Sequence, residues 1–312
     1  MPRIRPHPAL IRTLLLAAIL RAVSLPLLAQ PAAGKPAACA AANQIGSAKV
    51  GQYFFQSFKS GDGACLRVVH TGKVVFRRTE DGGVTFTLGQ QADPLYNIPA
   101  LPNGADVTGR GRPDMIVSVY TGGAHCCTEH LVFELEPAFH LLATLNDAHD
   151  SLAHFARIGS DPAYYYITAD WTFAYWPNCF ACSPSAQVIL RFEDNPSGGA
   201  FHLALDRMQT PAPAPAEWNR LLRTARKTVN EGSVAGIGTD VWGPVLNFLY
   251  AGHSDLAWKF LGELGPKAQQ SPFPDLEDFC SLLKNSLYWR DLQPSLRNTP
   301  PACSKAERAQ PQ

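Results

Sequence analysis

Residues 106–135 read DVTGRGRPDMIVSVYTGGAHCCTEHLVFEL, and their pattern decides how the rest of the chain is read. Asp106 to Asp114 is a tight turn of acids and glycines. Met115–Tyr120 is an apolar run, Gly122-Gly123 opens a loop carrying Cys126 and Cys127, and His130–Leu135 is a second run rich in strand formers. Two such runs joined by a glycine-containing loop predict a pair of antiparallel strands.

The same punctuation extends outward from this pair. Further strands are expected at Tyr53–Phe58, Leu66–His70, Lys73–Arg78, Val84–Leu88, His140–Leu145, His154–Ile158, Tyr164–Asp170, Ala186–Phe192 and Ala200–Leu205. His70-Thr71-Gly72-Lys73 and Glu80-Asp81-Gly82-Gly83 are hairpin signals, because glycine supplies the positive φ that tight hairpin turns require. Turn signals at Ser60–Gly63, Gly109–Gly111 and Gly159–Pro162 recur at close to 50 residues, about the length of one propeller blade of four strands. Three blades are too few for a closed propeller of ~4–8. The expected fold is therefore α+β: a mainly antiparallel propeller-like or sandwich domain, followed by a small C-terminal helical domain.

The outline of the turn, with Asp106, Thr108, Gly109, Gly111, Pro113 and Asp114 at fixed places, resembles the loop of the FG-GAP/VCBS repeats. The resemblance covers residues 106–135 well and the stretch from about 50 to 205 more faintly. It implies a β-propeller blade fold and, in the best version of the loop, bound calcium. Family loops carry acids or Asn at places one, three, five and nine, and a backbone carbonyl at place seven. Here these are Asp106, Thr108, Arg110, Asp114 and Arg112. A hard cation takes several oxygens, preferably charged, and Arg110 puts a cation where a carboxylate is expected. Two readings stay open: a degenerate calcium site of Asp106, Thr108 and Asp114, and a metal-free turn whose arginines neutralise its aspartates. The sequence favours the second, and no other cofactor is expected.

Arg3, Arg5 and Arg12 precede an apolar run from Leu14 to Leu28, with Ala29 before Gln30. This order reads as a secretory signal peptide over 1–29 and predicts a periplasmic or secreted protein with no stable membrane span after cleavage. Cleavage removes four arginines and no acid, leaving 23 basic against 26 acidic residues. That balance lacks the basic footprint of a nucleic-acid binder. All eight cysteines, Cys39, Cys65, Cys126, Cys127, Cys179, Cys182, Cys280 and Cys303, follow the signal. An even count in an oxidising compartment favours disulfides over a zinc site built from Cys126, Cys127, Cys179 and Cys182. The Cys179-Phe-Ala-Cys182 spacing is expected to be a loop disulfide.

Residues 30–48 are rich in Ala and Pro and read as a flexible leader, and 49–208 as the β domain. Thr210-Pro-Ala-Pro-Ala-Pro215 places a linker at 209–215. Beyond it, Trp218, Leu221, Leu222, Ala225 and Val229 share one helix face, with Arg220, Arg223 and Arg226 opposite. Helices are also expected at Val241–Ala251, Ser254–Leu264 and Asp275–Tyr288, the last burying Leu276, Phe279, Cys280, Leu283 and Leu287. The helical domain thus spans 216–290, and 291–312 reads as a disordered tail.

No G-x-S-x-G, H-E-x-x-H or phosphate-binding loop occurs, and no catalytic residue is assigned. Alternation through DWTFAYW, residues 170–176, would put Asp170 and Trp176 on one strand face, where with His125 they form a candidate ligand surface. The expectation is a non-catalytic exported protein that binds a protein or carbohydrate of the cell envelope. The alternative is an envelope-polymer hydrolase using Asp106, Asp114, His125 and Asp170.

Overall fold

The structure, a computed structural model, describes residues 39–123, 127–195, 198–264 and 275–305. The expected signal peptide, residues 30–38 of the leader, His125, Cys126 and residues 306–312 of the tail lie outside the described residues.

Three antiparallel sheets of four strands follow one another along the chain, each a meander of consecutive strands. The first holds β1 (Gln44–Val50), β2 (Tyr53–Ser60), β3 (Gly63–His70) and β4 (Lys73–Glu80). The second holds β5 (Thr85–Leu88), β6 (Asp114–Tyr120), β7 (Thr128–Glu134) and β8 (His140–Ala148). The third holds β9 (His154–Arg157), β10 (Tyr164–Asp170), β11 (Ala186–Glu193) and β12 (Ala200–Leu203). Among the described residues the sheets close into neither a barrel nor a propeller. Residues 44–48, grouped above with the leader, begin β1. They pair with β2 from Gln44↔Phe58 to Val50↔Tyr53, so cross-strand hydrogen bonds order a segment whose composition reads as flexible.

The sheets stack face to face, and side-chain alternation assigns each strand's two faces to two layers. In β6, Met115, Val117 and Val119 pack with Phe55, Leu66 and Val68 of the first sheet. Ile116, between them, joins Phe155 and Tyr166 of the third sheet. β7 repeats this, with Leu131 and Phe133 on one side and Val132 on the other. A strand buried on both faces has no polar phase, which is why 115–120 reads as one apolar run. The turn at 109–111 lies between the first and second strands of its sheet, as does that at 159–162. Gly61 and Asp62 lie between the second and third strands, so the roughly 50-residue repeat holds in phase only between the second and third sheets.

Helices then cover the third sheet: α1 (Leu205–Met208), α2 (Pro215–Glu231), α3 (Val234–Gly236), α4 (Gly243–Tyr250), α5 (Ser254–Gly262), α6 (Leu276–Leu283), α7 (Trp289–Leu292) and α8 (Pro301–Lys305), with a π-helical stretch at Ile237–Trp242 before α4. The face of α2 carrying Trp218, Leu221, Leu222, Ala225 and Val229 packs into the core that includes Val188 and Leu190 of β11. Packing therefore uses the apolar side of this basic helix. Trp242 is fully buried and stacks on Phe279, with ring centroids 4.5 Å apart. Burying a phenylalanine completely contributes on the order of 2–3 kcal/mol. Leu287, expected inside, is 71% exposed because α6 ends at Leu283 and the helical phase ends with it. The segment after 290 is partly ordered: Leu292 is fully buried, and Cys303 is buried at disulfide distance from Cys280.

Cys39 and Cys65, and Cys179 and Cys182, also lie at disulfide distance. The first pair closes a span of 26 residues, which the chain-entropy account values at about 3.5 kcal/mol. Cys127 is disulfide-bonded as well.

Residues 209–214 belong to no helix or strand, and most are exposed. None of these three cysteine pairs crosses them, while the sheets and helices on either side share one apolar core. A proline-specific endopeptidase is expected to cut here first, because an exposed extended backbone fits a protease cleft. The two fragments should co-elute on gel filtration and separate only in denaturant. Separation of the nicked fragments in native buffer would show that the shared core is too weak to join them.

Candidate functional site

The 106–114 turn is built from its own amides. Asp106 accepts hydrogen bonds from the Arg110 amide (3.0 Å, Oδ1) and the Gly111 amide (2.7 Å, Oδ2). Asp114 Oδ2 accepts from the amides of Val107 (2.9 Å) and Thr108 (3.2 Å). The Thr108 hydroxyl lies 3.2 Å from both Asp106 Oδ1 and Asp114 Oδ2 and donates to one at a time. Gly109 and Gly111 both take φ of +72°, which a side chain at either place would strain.

The arginines do not neutralise these aspartates as the sequence suggested. Arg110 Nη1 pairs instead with buried Glu134 at 2.6 Å, and Nη2 with Asp194 at 2.6 Å and the Gly198 carbonyl. Its guanidinium also lies 4.7 Å from the Phe192 ring centroid. Arg112 reaches Glu134 at 3.1 Å. Long side chains carry the cations out of the turn, so Arg110 ties the second sheet to the β11–β12 connection of the third. The Asp194 and Glu134 carboxylates raise the Arg110 pKa above its ordinary value.

Most carboxylate oxygens of the loop are already engaged within the turn. Two carboxylates face the turn, three of their four oxygens already accept amide protons, and a calcium ion takes about 6–8 oxygens. Among the described residues no group of three or more His, Cys, Asp or Glu side chains is arranged to hold a metal ion. Asp114 Oδ1 is buried without a partner. Burial pushes this carboxyl up to about 6, against the lowering effect of the Thr108 and Val107 donors.

An open cleft of about 520 Å³ adjoins the turn. The 102–109 loop forms one wall, with Asn103, Asp106 and Gly109. The other wall comes from the β9–β10 hairpin, with Arg157, Pro162 and Tyr164. Arg157 and Tyr164 are directly paired across that hairpin, and the guanidinium lies 4.7 Å from the tyrosine ring centroid. The cleft thus sets a carboxylate against a cation–π pair. The strand expected at Tyr164–Asp170 opens with three consecutive tyrosines. Tyr164 and Tyr166 share one strand face; Tyr166 is fully buried, whereas Tyr164, at the start of the strand, is half-buried and lines the cleft.

Asp170 and Trp176 serve the interior. β10 ends at Asp170, whose Oδ1 accepts from the Thr172 amide at 2.9 Å and its hydroxyl at 2.5 Å. This local bond turns the chain out of the strand, so no alternation continues through 171–176. Asp170 Oδ2 accepts from Tyr250 of α4 at 2.6 Å and Ser286 at 2.8 Å. Trp176 packs on Trp242, Phe173 and Phe279.

A second buried network joins the second and third sheets. His130 Nδ1 lies 2.7 Å from Asp147 Oδ2, and the Tyr166 hydroxyl donates to Asp147 Oδ1 at 2.5 Å. Burial first, and the Asp147 charge second, push the Tyr166 phenol well above its ordinary pKa. Burial also raises Asp147, opposed by its bond to His130.

No family model matches the chain, and no curated protein or solved structure matches it. The resemblance to FG-GAP/VCBS repeats rests on the residues quoted above.

Proposed function

We propose that this chain is an exported, non-catalytic binding protein whose three sheets form a propeller-like stack of degenerate FG-GAP/VCBS type. In this reading its ligand is a protein or carbohydrate of the cell envelope, held in the cleft between the 102–109 loop and the β9–β10 hairpin. The observation that carries the reading is a division of labour among polar groups. Asp106, Asp114 and Asp170 each accept several hydrogen bonds within the fold. Arg157 and Tyr164, by contrast, border open space. An aromatic face beside a cation offers a sugar ring or a peptide both a stacking surface and hydrogen-bonding groups.

Immobilised protein should retain a ligand from solubilised envelope material. Replacing Arg157 and Tyr164 with alanine should reduce retention about tenfold or more, the scale of losing one central contact. Equal retention by the variant would overturn the cleft assignment. Release of new reducing ends or peptides from the polymer fraction would favour the hydrolase alternative.

A further inference from the structure

We infer that the outer face of the first sheet is a second binding surface, separate from the cleft, for an acidic polysaccharide of uronate type. The face is defined by strand register. One cross-strand row runs Lys49, Phe54, Val69, Val74, and the next runs Ser47, Gln56, Arg67, Arg77. The opposite face carries Phe55, Leu66, Val68 and Phe76 and packs on the second sheet. In this stack the second sheet is covered on both faces and the third by helices. On the outer face of the first sheet, the end at Phe58 and Cys65 is buried with Cys39, whereas Phe54 remains 45% and Val74 48% exposed.

Three features identify the occupant. First, the charges in these two rows are Lys49, Arg67 and Arg77, all positive, and among the described residues none of the three forms an ion pair. The leader cannot supply the missing anion either, because no Asp or Glu precedes Asp62 in the chain. Second, Arg67 and Arg77 are direct cross-strand neighbours, a like-charge arrangement that costs stability. The Arg67 guanidinium is held by Gln56 Oε1 at 3.0 Å and lies 4.7 Å from the Phe58 ring centroid, so exposed Arg77 is the guanidinium offered to an anion. Third, the Lys49 ammonium lies 5.1 Å from the centroid of the exposed Phe54 ring, so an apolar flat surface and a cation are offered side by side.

A uronate polymer matches this pattern. The C–H face of its ring packs on an aromatic ring, its hydroxyls meet Ser47, and its carboxylates pair with the Arg77 guanidinium and the Lys49 ammonium in charge-assisted hydrogen bonds. The four strands span about 14 Å at about 4.8 Å per step, which suits an extended chain lying across them. A second copy of this face would set its own cations against these three. A stable protein partner needs roughly 800 Å² with an aromatic-rich centre, whereas this face offers one exposed aromatic and short valines.

The test measures affinity of the full chain for polygalacturonate, for its neutral methyl ester and for polyglutamate, by affinity electrophoresis. Wild-type protein should bind polygalacturonate at least about tenfold more tightly than either control, and high salt should weaken it. The double variant Lys49→Gln, Arg77→Gln should lose about tenfold or more while melting no lower than wild type, since it removes unpaired surface cations. Phe54→Ser should weaken polygalacturonate binding and leave polyglutamate unchanged. The inference is overturned if wild type does not bind polygalacturonate, if polyglutamate binds equally well, or if binding survives the double substitution. Dimerisation through the same face, abolished by the double variant, would also overturn it.

Discussion

Replacing Asp170 with alanine is expected to destabilise the protein by about 3–4 kcal/mol, because it strips the acceptor from buried donors that each cost about 1–3 kcal/mol when left unpaired. The residue closes β10 and receives Tyr250 from α4 and Ser286 from the segment after α6, so it fastens the helices to the third sheet. Tyr250 and Ser286 lie 3.3 Å apart and would recover only one bond between them. Burial, followed by the Asp170 charge, raises the Tyr250 phenol well above its ordinary value, so this donor stays protonated across the accessible pH range. Urea unfolding of Asp170→Ala beside Asp170→Asn measures the effect. The asparagine variant keeps one acceptor oxygen and should recover about half the loss or more, on the scale of a single buried hydrogen bond. A loss under about 1 kcal/mol for the alanine variant, the scale of an ordinary hydrogen bond, would mean that the helices are held by the apolar core alone.

A second large effect should follow from pH at Asp114. Burial moves its folded-state pKa from 3.8 to about 6, so the folded protein binds this proton more tightly than the unfolded chain. The associated stability is fully present below about pH 3.8 and is lost as pH rises through about 6. A shift of this size corresponds to about 3 kcal/mol. Asp114→Asn keeps an acceptor for the Val107 and Thr108 amides and cannot titrate. The stability of Asp114→Asn relative to wild type should therefore rise by about 2 kcal/mol between about pH 4 and pH 7. Taking the difference between the two proteins removes the contribution of Asp147 and the other acids, which both share. A pH-independent difference would show that the Asp114 carboxyl is as well solvated in the folded state as in the unfolded chain. The same variant also separates two accounts of the turn, because a metal-dependent loop would lose stability on losing a carboxylate at neutral pH.

The sequence by itself determined the local structure with good fidelity. Strand alternation, paired glycines and hairpin turns located eleven of the strands, because those signals act between near neighbours. The helical phase of α2 and of Leu276 to Leu283 was legible for the same reason. β1 was not, since its residues acquire order only by pairing with β2. What the tertiary structure alone decided is how distant segments use their polar groups. Arg110 meets Asp194 across 84 residues and Asp170 meets Ser286 across 116, distances at which sequence spacing carries no information. These long-range partners turn apparent site residues such as Asp170 into fastenings. The cleft exists because the 102–109 loop and the β9–β10 hairpin come together from separate sheets, and no local pattern encodes that meeting.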